Sequence, residues 1–210
     1  MRMFDSVVIA CDQWSLDIGS AIRASLELFR LRVHFYFCVQ KQNVLDVLAG
    51  KIPPSDYVVL CTHGIDTEKI DVATPDTHQA GFQVVDLIDG EWKTVWFALT
   101  PSNVPQYVSL ADRTVLSGGC SSGQEPLARA FLESGCRAYL GPVEDVDQDA
   151  GALFSIGFFY HLLSRDRDPE VGCTDEEAAE RAGRIDTHAR CGTHLFRYYE
   201  GRHRPSTDYA

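Results

Sequence analysis

The chain has 210 residues, 45% hydrophobic and 23% charged, the balance of an ordinary packed protein rather than a disordered, collagen-like or coiled-coil one. Acidic residues outnumber basic ones 30 to 19, and the formal net charge of -11 opposes binding to a phosphate backbone. Nucleic acid is therefore excluded as the expected partner, a basic peptide or protein suits the field better, and the length suits one α/β domain over residues 1–210.

In chain order, Val7 to Ala10 is a short continuous apolar run of the kind that forms a central parallel strand. From Ser15 to Arg30, Ile18, Ala21, Ile22, Ser25 and Phe29 recur at helical spacing and predict the first helix. Val33 to Val39 is aromatic and β-branched, Asn43 to Ala49 is a short helix candidate, and Tyr57 to Cys61 is a further strand. The β-α-β-α-β order predicts right-handed crossovers with helices on both faces of a mostly parallel sheet.

Gln83 to Ile88 and Trp92 to Leu99 flank Asp89-Gly90, which predicts a β-hairpin inserted into the parallel pattern. Alternation resumes with the strand Thr114 to Ser117, a helix from near Gly123 that carries Leu127, Ala130 and Phe131 and ends at Gly135, and the strand Arg137 to Leu140. Asp149 to Leu163 reads as a core-facing helix. Thr174 and Glu177 form a capping-box pattern that opens a polar helix toward Ala189, and Leu195 to Tyr199 reads as an edge strand.

Seven cysteines, an odd number with no CxxC pair, make neither a disulfide framework nor a zinc site, so a reducing intracellular compartment is expected. His188 and His194 flank Cys191, but the spacing matches no common metal-ligand pattern. The apolar run after Met1 stops at Cys11-Asp12, and no segment approaches the roughly 20 apolar residues of a spanning helix. A cytoplasmic protein without a membrane partner is expected.

Two strand ends each deliver a reactive side chain onto a glycine turn: Leu60-Cys61-Thr62-His63-Gly64 and Leu116-Ser117-Gly118-Gly119-Cys120-Ser121-Ser122-Gly123. Ligands of open α/β sheets bind at the carboxyl ends of strands, so adjacent parallel strands would bring His63 and Cys120 together. A thiolate is a good nucleophile, and a neighbouring imidazole both lowers the thiol pKa and protonates a leaving amine. Taken singly, a strand-end cysteine or histidine is usually a packed structural residue. Two matching contexts favour chemistry over packing.

With these motifs the chain resembles the caspase-like clan of cysteine peptidases, and is most similar to the separase-related CHAT family. Leu127 to Leu132, Gly135 to Leu140, the acidic segment Glu144 to Asp149 and the following apolar helix keep the family's order. Gly119 stands where CHAT sequences usually carry alanine, and Pro142-Val143 where they usually carry an aromatic residue.

The resemblance implies a caspase-like three-layer sandwich in which His63 is the general base or acid and Cys120 the nucleophile. The N–H groups of Gly64 and Cys120 would be the oxyanion donors, with no cofactor, no metal and no required third residue. It also implies a substrate-facing carboxylate for a basic side chain, with Asp147 the first choice and Asp149 the second, although acids at a helix start are favoured in any case. The expected partners are a peptide or protein substrate and a regulatory protein. Two other readings stand beside this one. One is a catalytically silent caspase-like module that binds a protein. The other is an anion binder using Gly118 to Gly123, for which neither a Walker nor a dinucleotide fingerprint is present.

Overall fold

The computed structural model describes residues 6–64, 80–164, 173–186 and 191–201. Ser6–Cys11 forms β1, Arg32–Phe37 β2, Tyr57–Cys61 β3, Thr114–Ser117 β7, Ala138–Pro142 β8 and Phe196–Glu200 β9, in the sheet order β2-β1-β3-β7-β8-β9. Every pairing is parallel except β8 with β9, so the last strand closes one edge antiparallel, where an edge strand was expected. A second, antiparallel sheet joins β4 (His63–Gly64), β5 (Ala80–Ile88) and β6 (Glu91–Leu99). Its β5–β6 turn at Asp89 and Gly90 uses positive φ at both residues, the geometry behind the Asp-Gly hairpin signal.

Helices α1 (Leu16–Leu28), α5 (Gln148–Ser164) and α6 (Asp175–Gly183) flank the larger sheet on one face. Helices α2 (Lys41–Leu48), α3 (Val104–Tyr107) and α4 (Glu125–Glu133), with the hairpin, flank it on the other. The strand period of two sorts the core: Val7, Ile9, Tyr57, Val59 and Leu140 point to the first layer, and Val8, Ala10, Val58, Leu60 and Tyr139 to the second. Because both faces are covered, β1, β3, β7 and β8 are buried along their whole length, which is why they read as unbroken apolar runs. No helix of the described residues is long and apolar enough to cross a membrane.

The capping box at Thr174 forms as expected: the Glu177 N–H donates to Thr174 Oγ1 at 3.2 Å, and the Thr174 N–H to Glu177 Oε2 at 2.8 Å. The helix it opens ends at Gly183, short of the predicted Ala189, and residues 187–190 lie outside the described ones. Helix α3 was not predicted, since a single turn with Pro105 inside it leaves no periodicity to read.

Asp175 bolts α6 to the amino ends of three strands. Its carboxylate accepts from Tyr57 Oη at 2.8 Å, Thr114 Oγ1 at 2.8 Å and Arg137 Nη2 at 3.2 Å. The Arg137 guanidinium also lies 5.4 Å from the centre of the Tyr57 ring. Asp175→Ala removes the carboxylate that accepts from Tyr57 and Thr114 and pairs with Arg137, so it is expected to cost about 2–4 kcal/mol of stability, read as a lower midpoint in urea unfolding.

Candidate active site

Parallel pairing of Leu60 with Ser117 puts the carboxyl ends of β3 and β7 side by side, and the chain leaving each strand turns toward the other. The approach is backbone on backbone. A methyl group on Gly64 would fall 2.5 Å from Cys120 Cβ and 2.5 Å from the Cys120 carbonyl oxygen. One on Gly119 would fall 2.7 Å from Thr62 Oγ1 and 2.9 Å from the His63 carbonyl carbon. Only glycine fits at either position. The backbones of the His63-Gly64 and Gly119-Cys120 segments therefore meet, while the imidazole hydrogen-bonds Ser15 and the thiol hydrogen-bonds Val146.

Cys120 lies in a tight turn in which Ser121 has φ of 56°. The Ser121 N–H donates to Glu144 O at 3.0 Å, and the Gly123 N–H to Pro142 O at 2.7 Å. Helix α4 begins at Glu125 with Gln124 as its N-cap, close to the predicted start near Gly123. The thiol meets the backbone of Val146: Sγ donates to Val146 O at 3.4 Å, and the Val146 N–H points to Sγ at 3.5 Å. The acidic segment is thereby clasped onto the cysteine.

Of the seven thiols, Cys120 and Cys191 are half-buried and the others buried. Burial pushes the pKa of Cys11, Cys38 and Cys136 up to about 12, and that of Cys61 is raised by the same cause. Cys191 is raised by burial and by the hydrogen bond its Sγ donates to Asp186 Oδ2 at 3.2 Å.

His63 is held by two residues that the sequence reading did not single out, Asp12 and Ser15. Its Nε2 lies 3.0 Å from Ser15 Oγ and 3.7 Å from Asp12 Oδ1. Ser15 is the N-cap of α1, yet its hydroxyl makes no cap and faces the imidazole instead. Asp12 Oδ1 caps the turn ahead of the helix, accepting from the N–H groups of Ser15 at 2.9 Å and Trp14 at 3.1 Å. Asp12 Oδ2 accepts from the Gln83 N–H of β5 at 2.7 Å.

Asp12 is fully buried. Burial alone would raise its pKa, but His63 and the N–H groups of Gln83 and Ser15 outweigh that and hold it below the usual carboxylate value. A carboxylate at this end of the ring favours the tautomer with its proton on Nε2, leaving Nδ1 as the acceptor. Asp12 follows its apolar strand as His63 and Cys120 follow theirs, but without the glycine turn that marks those two in the sequence.

Asp147 and Asp149 are both exposed, at the start of α5. The Asp147 N–H donates to Cys191 O at 3.1 Å, and its carbonyl accepts from the Ala150 N–H at 2.9 Å. Asp147 adjoins Val146 and so the cysteine, whereas Asp149 lies further along the first turn of the helix. Among the described residues no group of histidines, cysteines and carboxylates could hold a metal ion. His188 lies outside the described residues.

Two crystal structures of the Saccharomyces cerevisiae separase–securin complex are similar to this chain, with TM-scores of 0.52 and 0.53 and 14% identity. Each match covers 94% of this chain and 12% of the other. The fold is caspase-like. It is a three-layer α/β sandwich, and the chain spans about an eighth of the length of the proteins it matches in structure. No family model and no curated protein matches the chain. The narrower CHAT resemblance therefore rests on sequence motifs.

Proposed function

We propose that this chain is a cysteine endopeptidase of the CHAT type that works as a single domain through a His63–Cys120 dyad and cleaves after a basic residue. The observation that carries this reading is the glycine-mediated contact of the His63 and Cys120 segments at the carboxyl ends of neighbouring parallel strands. On substrate binding the thiol exchanges Val146 O for His63 Nδ1, since catalytic hydrogen bonds commonly tighten only in the complex.

Cys120 Sγ then attacks the scissile carbonyl carbon as its proton passes to His63. The carbonyl electrons move onto oxygen, which the N–H groups of Gly64 and Cys120 face. The C–N bond breaks, His63 gives its proton to the departing amine, and a thioester remains on Cys120. Water hydrolyses the thioester: His63 takes a proton from the water, the carboxyl group leaves, and Cys120 regains its proton. The Nε2 end of the ring stays bound to Ser15 and Asp12 throughout. The chemistry needs no cofactor, and free thiols suit a reducing compartment such as the cytoplasm.

Asp147 is assigned to the basic side chain of the substrate. Fluorogenic peptides ending in Arg, Lys, Leu or Asp before the reporter group test this. The wild type is expected to prefer Arg and Lys, and Asp147→Asn to lose about tenfold or more in kcat/KM on those two alone, with Asp149→Asn losing less. Equal loss on all four peptides would remove Asp147 from the pocket. The clasp of Val146 on Cys120 supports a regulatory protein partner that moves the acidic segment.

A further inference from the structure

The outer face of the hairpin continues the site. In the antiparallel register His63 lies opposite Gly81, Gly81 opposite Ala98, Gln83 opposite Trp96, Val85 opposite Thr94 and Leu87 opposite Trp92. Side chains of facing residues share one side of a sheet, so a single face runs from His63 to the hairpin tip. The His63 and Trp96 ring centres are 5.9 Å apart. Trp14 joins the face by donating its Nε1–H to Gln83 Oε1.

The opposite side of the hairpin, with Phe82, Val84, Phe97 and Leu99, is core. The strand is fixed to the larger sheet by Asp12 at Gln83 and by Val39 O, which accepts from the Val85 N–H at 2.7 Å. All three tryptophans of the chain therefore stand on one anchored face with large exposed fractions, 59% for Trp14, 63% for Trp92 and 41% for Trp96. Leu87 between them is 54% exposed. Binding hot spots are rich in tryptophan, and a core-anchored hairpin has no packing reason to turn Trp92 and Trp96 outward with Trp14 beside them.

We infer that this face is the docking ledge for an extended polypeptide substrate, which lays apolar side chains on Trp96, Trp92 and Leu87 and carries a cationic residue at the cleavage point. This rests on the peptidase reading above. From Gly81 to Leu87 the ledge is about 20 Å long at ~3.4 Å per strand residue, room for roughly six extended residues. β6 is the outer strand of the small sheet, with no further strand paired to it among the described residues, so its backbone is open to an added strand. At the reactive end, Glu144, Asp145, Asp147 and Asp149 are exposed and no lysine or arginine pairs with them among the described residues. Their charge fixes which end of the peptide segment is basic.

The test separates docking from chemistry by using the Cys120→Ser chain. The probe is a fluorescein-labelled peptide of about ten residues with an arginine at the cleavage point and leucine at alternate positions, and binding is read by anisotropy. Trp92→Ala and Thr94→Arg, the second an exposed position in the middle of the face, are each expected to weaken binding about tenfold or more. Replacing the peptide's arginine by glutamate is expected to do the same. Leu28→Ala, an exposed apolar residue on α1 away from the hairpin, is expected to leave the dissociation constant unchanged.

Binding that ignores Trp92 and Thr94, or that Leu28→Ala weakens equally, overturns the ledge. Cleavage of the same peptide by the wild type is scored separately. Trp92-dependent binding without cleavage keeps the ledge and discards the peptidase. Cleavage with binding indifferent to Trp92 and Thr94 does the reverse.

Discussion

In a Cys120→Ser chain, hydrolysis of basic peptides is expected to fall by about 10,000-fold or more while the unfolding midpoint stays in place. The hydroxyl keeps the shape of the thiol but is a far weaker nucleophile beside the same imidazole. The choice of this cysteine over six others is physical. Cys11, Cys38, Cys61, Cys136 and Cys173 are buried, and the Cys191 thiol donates a hydrogen bond to Asp186 that holds it in the protonated form. Cys120 alone is half-buried next to a glycine-rich turn and a histidine-bearing strand end. Limited alkylation of the native chain followed by peptide mapping is the matching check, with Cys120 labelled first. Turnover that survives the serine substitution within tenfold would remove the dyad.

Asp12→Asn is expected to lower both stability and turnover, and the two losses have separate signatures. The buried carboxylate accepts from three backbone N–H groups and lies beside Nε2 of His63. An amide in its place must point a donor at one of those N–H groups or at His63. Losing a buried charged acceptor of this kind costs about 3 kcal/mol or more. Because the folded-state pKa of Asp12 lies below its ordinary value, its contribution is complete above the unfolded value of about 4 and is lost as pH falls through the lower folded value. Urea midpoints measured across the acid range should therefore drop less steeply in Asp12→Asn than in the wild type, from a lower starting level.

The kinetic signature is independent of that. Without the carboxylate the Nε2–H tautomer is no longer favoured, so kcat falls and the acid limb of its pH profile moves, whereas KM changes little. A variant that lost stability yet kept the wild-type pH profile would make Asp12 a purely structural cap.

The proximity of the His63 and Cys120 segments was legible in the sequence because each follows an apolar strand at a glycine turn, a local pattern that a parallel sheet converts into proximity. The hairpin was legible for a similar reason, since Asp89-Gly90 announces its own turn. Asp12 and Ser15 were not. Their meaning depends on β1 lying next to β3 in the sheet, and on the hairpin returning Gln83 to the end of β1, which no local pattern encodes. The tryptophans were visible as residues, but the side of the sheet that Trp92 and Trp96 share follows from register, and a one-residue slip would have turned them to the other side. The close approach of Gly123 to Gly141, where a methyl group would fall 2.0 Å from the Gly141 carbonyl oxygen, was not legible either, because it joins the turn after β7 to β8.

The Asp175 bolt and the reactive rim sit at opposite ends of the same strands, roughly 13 Å apart along β3 from Tyr57 to Cys61. Mutations at the bolt change how many molecules are folded, and rim mutations that spare the buried Asp12 leave that number in place. Exposed rim positions can therefore drift over evolutionary time without drawing on the stability that holds the sheet together.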